Sequence, residues 1–179
     1  QLSVDRVVAI KVIRPKLVLS KDYTARFIRE GRLATQLNHP NLVTAYDFGE
    51  TEDGVLYLAM EYLSGVTLST WLAEGPSLAD RITAAIQILD ALTVAHSKHI
   101  IHRDLKPGNV MLVDSPKIRV KVLDFGLAKN ITTAQSMTGV GIFVGTLHYA
   151  SPEQCRAGKI DGRSDLYGFG CLLYLMLSG

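Results

Sequence analysis

The stretch IIHRDLKPGNVMLVD, residues 100–114, sets Arg103, Asp104, Lys106 and Asn109 beside a proline and a glycine, between two aliphatic runs. An ordinary turn needs none of these charges. A carboxylate can take a proton from a hydroxyl, an ammonium can neutralise an anion, and an amide oxygen can help to ligate a hard cation. Lys106 lies two residues after Asp104, so an extended loop returns both side chains to the same side. Further groups of this kind follow at Asp124 in KVLDFGLAK and precede at Lys11, which interrupts the β-branched run VVAIKVI.

Such groups need elements to hold them. RVVAIKVI reads as a buried strand. SKDYTARFIREGRLATQLNHP reads as a helix, with Ser20 as N-cap, apolar Phe27, Ala34 and Leu37, and Pro40 just past its end. NLVTAYDFGE and GVLYLAMEYL read as a strand pair about a Gly-containing turn, and SGVTL as a connector. TLSTWLAE and SLADRITAAIQILDALTVAHSKH carry helical patterns, the second with Ser77 and Asp80 at capping-box spacing. NVMLV and KVLDF are two further strands, and the charged loop precedes the first. A strand-rich first third before a helix-rich remainder predicts an α+β chain of two lobes with a crevice between them. Repeats and low-complexity tracts are missing from the sequence.

At 179 residues, 47% hydrophobic and 20% charged, the chain can bury a real core. Its 19 basic and 17 acidic residues are interspersed, for a net charge of +2, so bulk charge does not point to nucleic acid or a membrane surface. Cys155 and Cys171 are too few for a disulfide framework and read as reduced thiols. The N-terminal segment does not have the form of a signal peptide. The apolar run LYGFGCLLYLML, at about a dozen residues, falls short of a membrane span and reads as a buried core helix. His96, His99 and His102 invite a zinc reading, but steps of three on a helix leave the first and third about 120° apart.

HRDLKPGN followed by DFG resembles the catalytic and metal-binding loops of eukaryotic-type (Hanks-type) serine/threonine protein kinases, in the order and separation of that family. VAIK around Lys11 is similar to the family's third-strand lysine motif, Glu30 falls at the partner glutamate of the next helix, and GTLHYASPEQ resembles the substrate-facing end of the activation segment. SPE in place of the usual APE, followed by Gln154, is similar to bacterial members. The resemblance implies a two-lobed kinase fold that binds ATP and Mg²⁺ and acts on Ser or Thr of a protein substrate, most simply in the cytoplasm.

By the same resemblance, Asp104 is the base that accepts the substrate hydroxyl proton, Lys106 neutralises the transferring phosphate, and Asn109 and Asp124 ligate the metal. Lys11, paired with Glu30, would bind the α- and β-phosphates. Ala9 would lie above the adenine and Met111 below it, with backbone groups of Glu61 and Leu63 at its edge and Met60 guarding the pocket behind. Asp165 matches the buried aspartate that holds the catalytic loop's backbone. Lys106 and Thr146 resemble the serine/threonine-specific branch. Arg103 suits a kinase switched by activation-loop phosphorylation, with Thr138 preferred over Thr132, Thr133 and Ser136.

Each group has a plainer reading. Lys11 alone would be a snorkelling or edge-strand lysine, Glu30 an exposed helix carboxylate, and Thr138 part of a solvated loop. The first glycine is Gly31, so the Gly-rich loop of kinases falls outside these residues, and Glu153 of SPE would look for its arginine beyond Gly179. The expectation is a partial kinase domain over 1–179, with an incomplete N-lobe at 1–63 and an incomplete C-lobe at 64–179. VVAIKVI would then be an uncovered, aggregation-prone edge. The competing functions are a catalytically incompetent, pseudokinase-like binding scaffold and a small-molecule phosphotransferase; intact Lys11, Asp104, Asn109 and Asp124 disfavour the first, and GTLHYASPEQ the second.

Overall fold

The structure, a computed structural model, describes residues 6–13, 28–29, 31–125, 147–156 and 158–178. Ser20, Phe27, Glu30, Gly126, Thr132, Thr133, Ser136, Thr138 and Thr146 lie outside the described residues.

The β-branched run becomes strand β1 (Val8–Ile13), and the next two apolar runs become β2 (Ala45–Glu50) and β3 (Leu56–Glu61). They form one antiparallel sheet in the order β1-β3-β2, with Lys11 opposite Leu58 and Ala9 opposite Met60. Residues 31–34 are helical, within the segment read as a helix. A small core of Ala45, Leu56 and Leu58 fills one side of the sheet. β1 is an edge strand among the described residues, with Ile10 61% and Val12 56% exposed.

SGVTL is more than a connector. Gly65–Thr67 form strand β4, which pairs with β5 (Val110–Val113), and β5 pairs in turn with β6 (Val120–Val122) in a second antiparallel sheet. Helix α1 (Leu68–Ala73) starts at an N-cap Thr67. Helix α2 (Leu78–Ser97) starts at Ser77, whose hydroxyl oxygen accepts from the Asp80 N–H at 3.2 Å. Only half of the expected capping box forms, because the Asp80 carboxylate takes the Ser77 hydroxyl at 2.7 Å instead of a backbone N–H.

A short helix α3 (Pro152–Cys155) and a long one, α4 (Gly162–Ser178), complete the described elements. Their larger core gathers Ile88, Leu92, Val110, Val122, Leu172 and Met176, together with Leu37 and Leu42 from the segment before β2. Helix α4 is buried on one face only: Phe169, Leu172 and Met176 are inside, while Tyr174 and Leu177 are exposed. Among the described residues no helix is long and apolar enough to cross a membrane. Cys155 and Cys171 are both free thiols.

Candidate active site

The loop between α2 and β5 is irregular, and its shape is set by one buried carboxylate. Asp165, 1% exposed in the first turn of α4, accepts the backbone N–H of His102 at 2.7 Å and that of Arg103 at 2.8 Å. His96, the last-turn histidine of α2, meets the same carboxylate at 2.7 Å through Nε2. A buried carboxylate requires such donors, and here they fix a loop backbone in a conformation it would not otherwise hold. Arg103 has φ 64, in the left-handed region where a side chain costs about 1–2 kcal/mol.

That contorted backbone brings three predicted residues together. Lys106 Nζ lies 3.0 Å from Asp104 Oδ2, and Asn109 Nδ2 donates to the Asp104 carbonyl at 2.8 Å and to Oδ2 at 3.3 Å. A 3-10 turn, Pro107–Asn109, closes the loop and leads directly into β5. Gly168 of α4 lets the helix approach from below, since a Cβ there would lie 3.3 Å from the Tyr149 carbonyl and 3.5 Å from Leu105.

Asp124 follows β6, where φ is 54, again left-handed. Its neighbour Leu123 is held at both ends: the N–H donates to the Asn109 carbonyl at 2.9 Å, and the carbonyl accepts from His102 Nε2 at 2.7 Å. The Asp124 carboxylate meets Lys11 Nζ at 2.8 Å, so β1 of one sheet reaches the end of the other. Lys11 is thus an ion-pairing lysine and not a merely snorkelling one; its expected partner Glu30 lies outside the described residues.

Met60, at the end of β3, lines a small apolar cavity of about 20 Å³ with Leu37, Leu58, Asp124 and Phe125. Glu61 and Leu63 follow it, and Met111 stands in β5 opposite Thr67 and Lys121. Ala9, Met60, Glu61, Leu63 and Met111 are all half-buried.

Three residues hold this site together without having been singled out for that role. His102 is wholly buried and stacks on Phe125 at 4.7 Å; its Nε2–H is committed to Leu123, so Nδ1 accepts the Asp104 N–H at 3.2 Å. His96 and His102 are therefore structural partners of the carboxylate and the loop. Lys121 places its ammonium 2.8 Å from Glu61 Oε2 and 3.0 Å from the Leu42 carbonyl; a lysine inside an apolar strand was the visible sign. Gln154 donates from Nε2 to the Arg103 carbonyl at 2.8 Å, and its S-x-x-Q spacing from Ser151 was legible as a capping box.

Glu153 corrects an expectation. Its carboxylate does not lack a partner: the Ser164 hydroxyl donates to it, and that bond above all holds its pKa below the usual carboxylate range.

A small antiparallel sheet, a helical lobe and a cleft where a lysine from the first meets the loops of the second define the class of two-lobed, kinase-like folds. The profile described as protein kinase domain matches residues 1–179. The chain is 44% identical, over its whole length, to serine/threonine-protein kinase pkn3 of Myxococcus xanthus, and 44% identical over 99% of its length to serine/threonine-protein kinase PknB of Mycobacterium tuberculosis. It spans 34% and 29% of those two relatives. A crystal structure of the Mycobacterium tuberculosis PknI kinase domain superposes with a TM-score of 0.74 at 28% identity, covering 94% of this chain and 62% of that one. This chain belongs to the protein kinase domain family.

Proposed function

We propose that the chain is the catalytic part of a protein serine/threonine kinase, moving the γ-phosphate of ATP to a Ser or Thr hydroxyl of a protein. The observation that carries this reading is the meeting of Asp104, Lys106 and Asn109 in one loop, tied through Leu123 to an Asp124 that is paired with Lys11. The names of the curated relatives support the Ser/Thr acceptor.

Phosphoryl transfer asks a protein mainly for positioning and for stabilisation of charge. Asp104 receives the hydroxyl proton and aims its oxygen; Lys106, already beside it, neutralises the moving phosphoryl group. Asn109 spends its amide N–H on Asp104, which turns the amide oxygen toward other partners. That oxygen and the Asp124 carboxylate are hard donors that fit Mg²⁺, and two protein ligands suit an ion that keeps phosphates in its shell. When bound, Mg²⁺ supplies neutralisation of phosphate charge. Lys11 holds the α- and β-phosphates. Ala9, Met60 and Met111 enclose the adenine, with Glu61 and Leu63 at its edge. Catalysis takes place on the cytoplasmic side, where ATP is, and Thr138 is the regulatory phosphosite.

The test uses the full-length protein, its Lys11→Met and Asp124→Asn variants, and casein as acceptor. Saturating Mg²⁺-ATP is expected to raise the wild-type Tm, by a stabilisation of about 2.7 kcal/mol at a hundred times Kd, and neither variant is expected to respond. Phosphate transfer is expected to fall by at least about 10²-fold in both. A wild-type protein with neither shift nor transfer would be a non-catalytic scaffold of kinase fold.

A further inference from the structure

The peptide between Arg103 and Asp104 decides where the Asp104 carboxylate points, and the structure pins it at both ends. Its N–H donates to His102 Nδ1 at 3.2 Å, and its carbonyl accepts from Gln154 Nε2 at 2.8 Å. The residue before the bond is fixed as well, since the Arg103 N–H donates to Asp165 at 2.8 Å while φ is held at 64. His102 and Asp165 belong to the loop and to the helix beneath it. Gln154 comes from elsewhere: it sits in α3, as the last residue of the stretch that resembles the substrate-facing end of the activation segment.

Its amide works in two directions at once. Oε1 accepts the Ser151 N–H at 3.0 Å, while the Gln154 N–H reaches the fully buried Ser151 hydroxyl at 3.4 Å, completing the capping box of α3. With Oε1 committed to that cap, Nε2 is the end left to face the loop. Seating of α3 and the orientation of the Arg103–Asp104 peptide therefore share one rigid planar group. No simpler side chain offers an acceptor and a donor at this spacing: Met and Leu offer neither, and a charged Glu would set an anion against the Arg103 carbonyl.

We propose that Gln154 is a positioning residue that makes the aim of Asp104 depend on correct seating of the 147–155 segment, so that the catalytic loop is set for transfer only when the protein-docking segment is in place. This rests on the kinase reading above and adds to it a coupling between acceptor docking and the base. Gln154 touches neither reactant; it acts through a peptide bond.

A protonated glutamic acid has the shape of glutamine, with an O–H where the amide has N–H, and that gives a specific test. In the full-length protein with casein and Mg²⁺-ATP, Gln154→Glu is expected to lower kcat about tenfold at about pH 8, with KM for ATP unchanged. The facing carbonyl at this half-buried position favours the protonated form, so the ratio of variant to wild-type kcat is expected to climb as pH falls from about 8 to about 6. Gln154→Met, which cannot titrate, should lose kcat without that climb. Unchanged kcat in Gln154→Glu overturns the inference. So does a ratio flat with pH, or a loss of kcat accompanied by a higher KM for ATP and a lower Tm. A wild-type protein that transfers no phosphate overturns the kinase reading and this inference with it.

Discussion

At the scale of single residues, His102 is the side chain on which the loops depend. Its two nitrogens have opposite tasks, Nε2–H donating to Leu123 and Nδ1 accepting from Asp104, so only the neutral ring serves both. Complete burial pushes its pKa below the ordinary histidine value; Asp165, Asp104 and Asp124 pull the other way and do not prevail. The unfolded chain therefore takes up a proton at this position before the folded one does. Stability from this source is full above about pH 6.5 and drains away as pH falls toward the lower native value. Urea denaturation of the full-length protein between about pH 7 and 5.5 should show a free energy falling with pH. In His102→Gln, which keeps the Leu123 donor but does not titrate, the slope should be shallower by up to about 1.4 kcal/mol per pH unit. Equal slopes would mean that the ring is not held neutral.

Among the elements, β4 is the one on which the two sheets turn, and it hangs on one glycine. Gly65 has φ 149, and a Cβ there would lie 2.1 Å from the Leu112 carbonyl of β5. Gly65→Ala must push β4 away from β5, and a destabilisation of about 2–4 kcal/mol is expected, read as a lowered urea midpoint with an unchanged m-value. This strand also shows what the sequence withheld. β1, β3 and α2 each carry a pattern within their own length, a β-branched run, an apolar run and an apolar stripe behind a serine cap, and they emerge where periodicity puts them. β4 is three residues long, and its partner arrives only after α2, so no local pattern can announce it. The capping box at Ser77 failed for a similar reason, because spacing does not say which atom a short carboxylate will choose. Within the candidate site, motif spacing singled out Asp104, Lys106, Asn109 and Asp124, whereas the contacts of His102 to Leu123, Lys121 to Glu61 and Gln154 to Arg103 join positions 21 to 60 apart.

For the molecule as a whole, the question is what joins the small sheet to the helical lobe near the cleft, and Lys121 gives a concrete answer. From β6 its ammonium reaches Glu61 at the end of β3 and the Leu42 carbonyl in the segment before β2. Glu61 in turn accepts the Thr44 N–H at 3.2 Å, so one ion pair gathers three stretches of chain from both sides of the cleft. Backbone bonds run beside it, Val122 N–H to Asn41 and Val43 N–H to Val122. The lysine is almost buried, while the glutamate keeps about a quarter of its surface in water. That asymmetry sets the magnitude. Removing the ammonium leaves a carboxylate that can partly rehydrate, so Lys121→Met should destabilise by less than the 3–5 kcal/mol of a fully buried broken pair, about 1–3 kcal/mol. Glu61→Gln on the same background removes the stranded charge, and the double variant should recover part of the loss, giving a coupling energy of about 1 kcal/mol or more in a double-mutant cycle. Because the pair stands beside Met60 and opposite Met111, the single variant should also weaken Mg²⁺-ATP binding, seen as a smaller nucleotide-dependent rise in Tm. Additive losses with an unchanged nucleotide response would mean that the two lobes are joined by packing and backbone alone, and that the ion pair merely fills space between them.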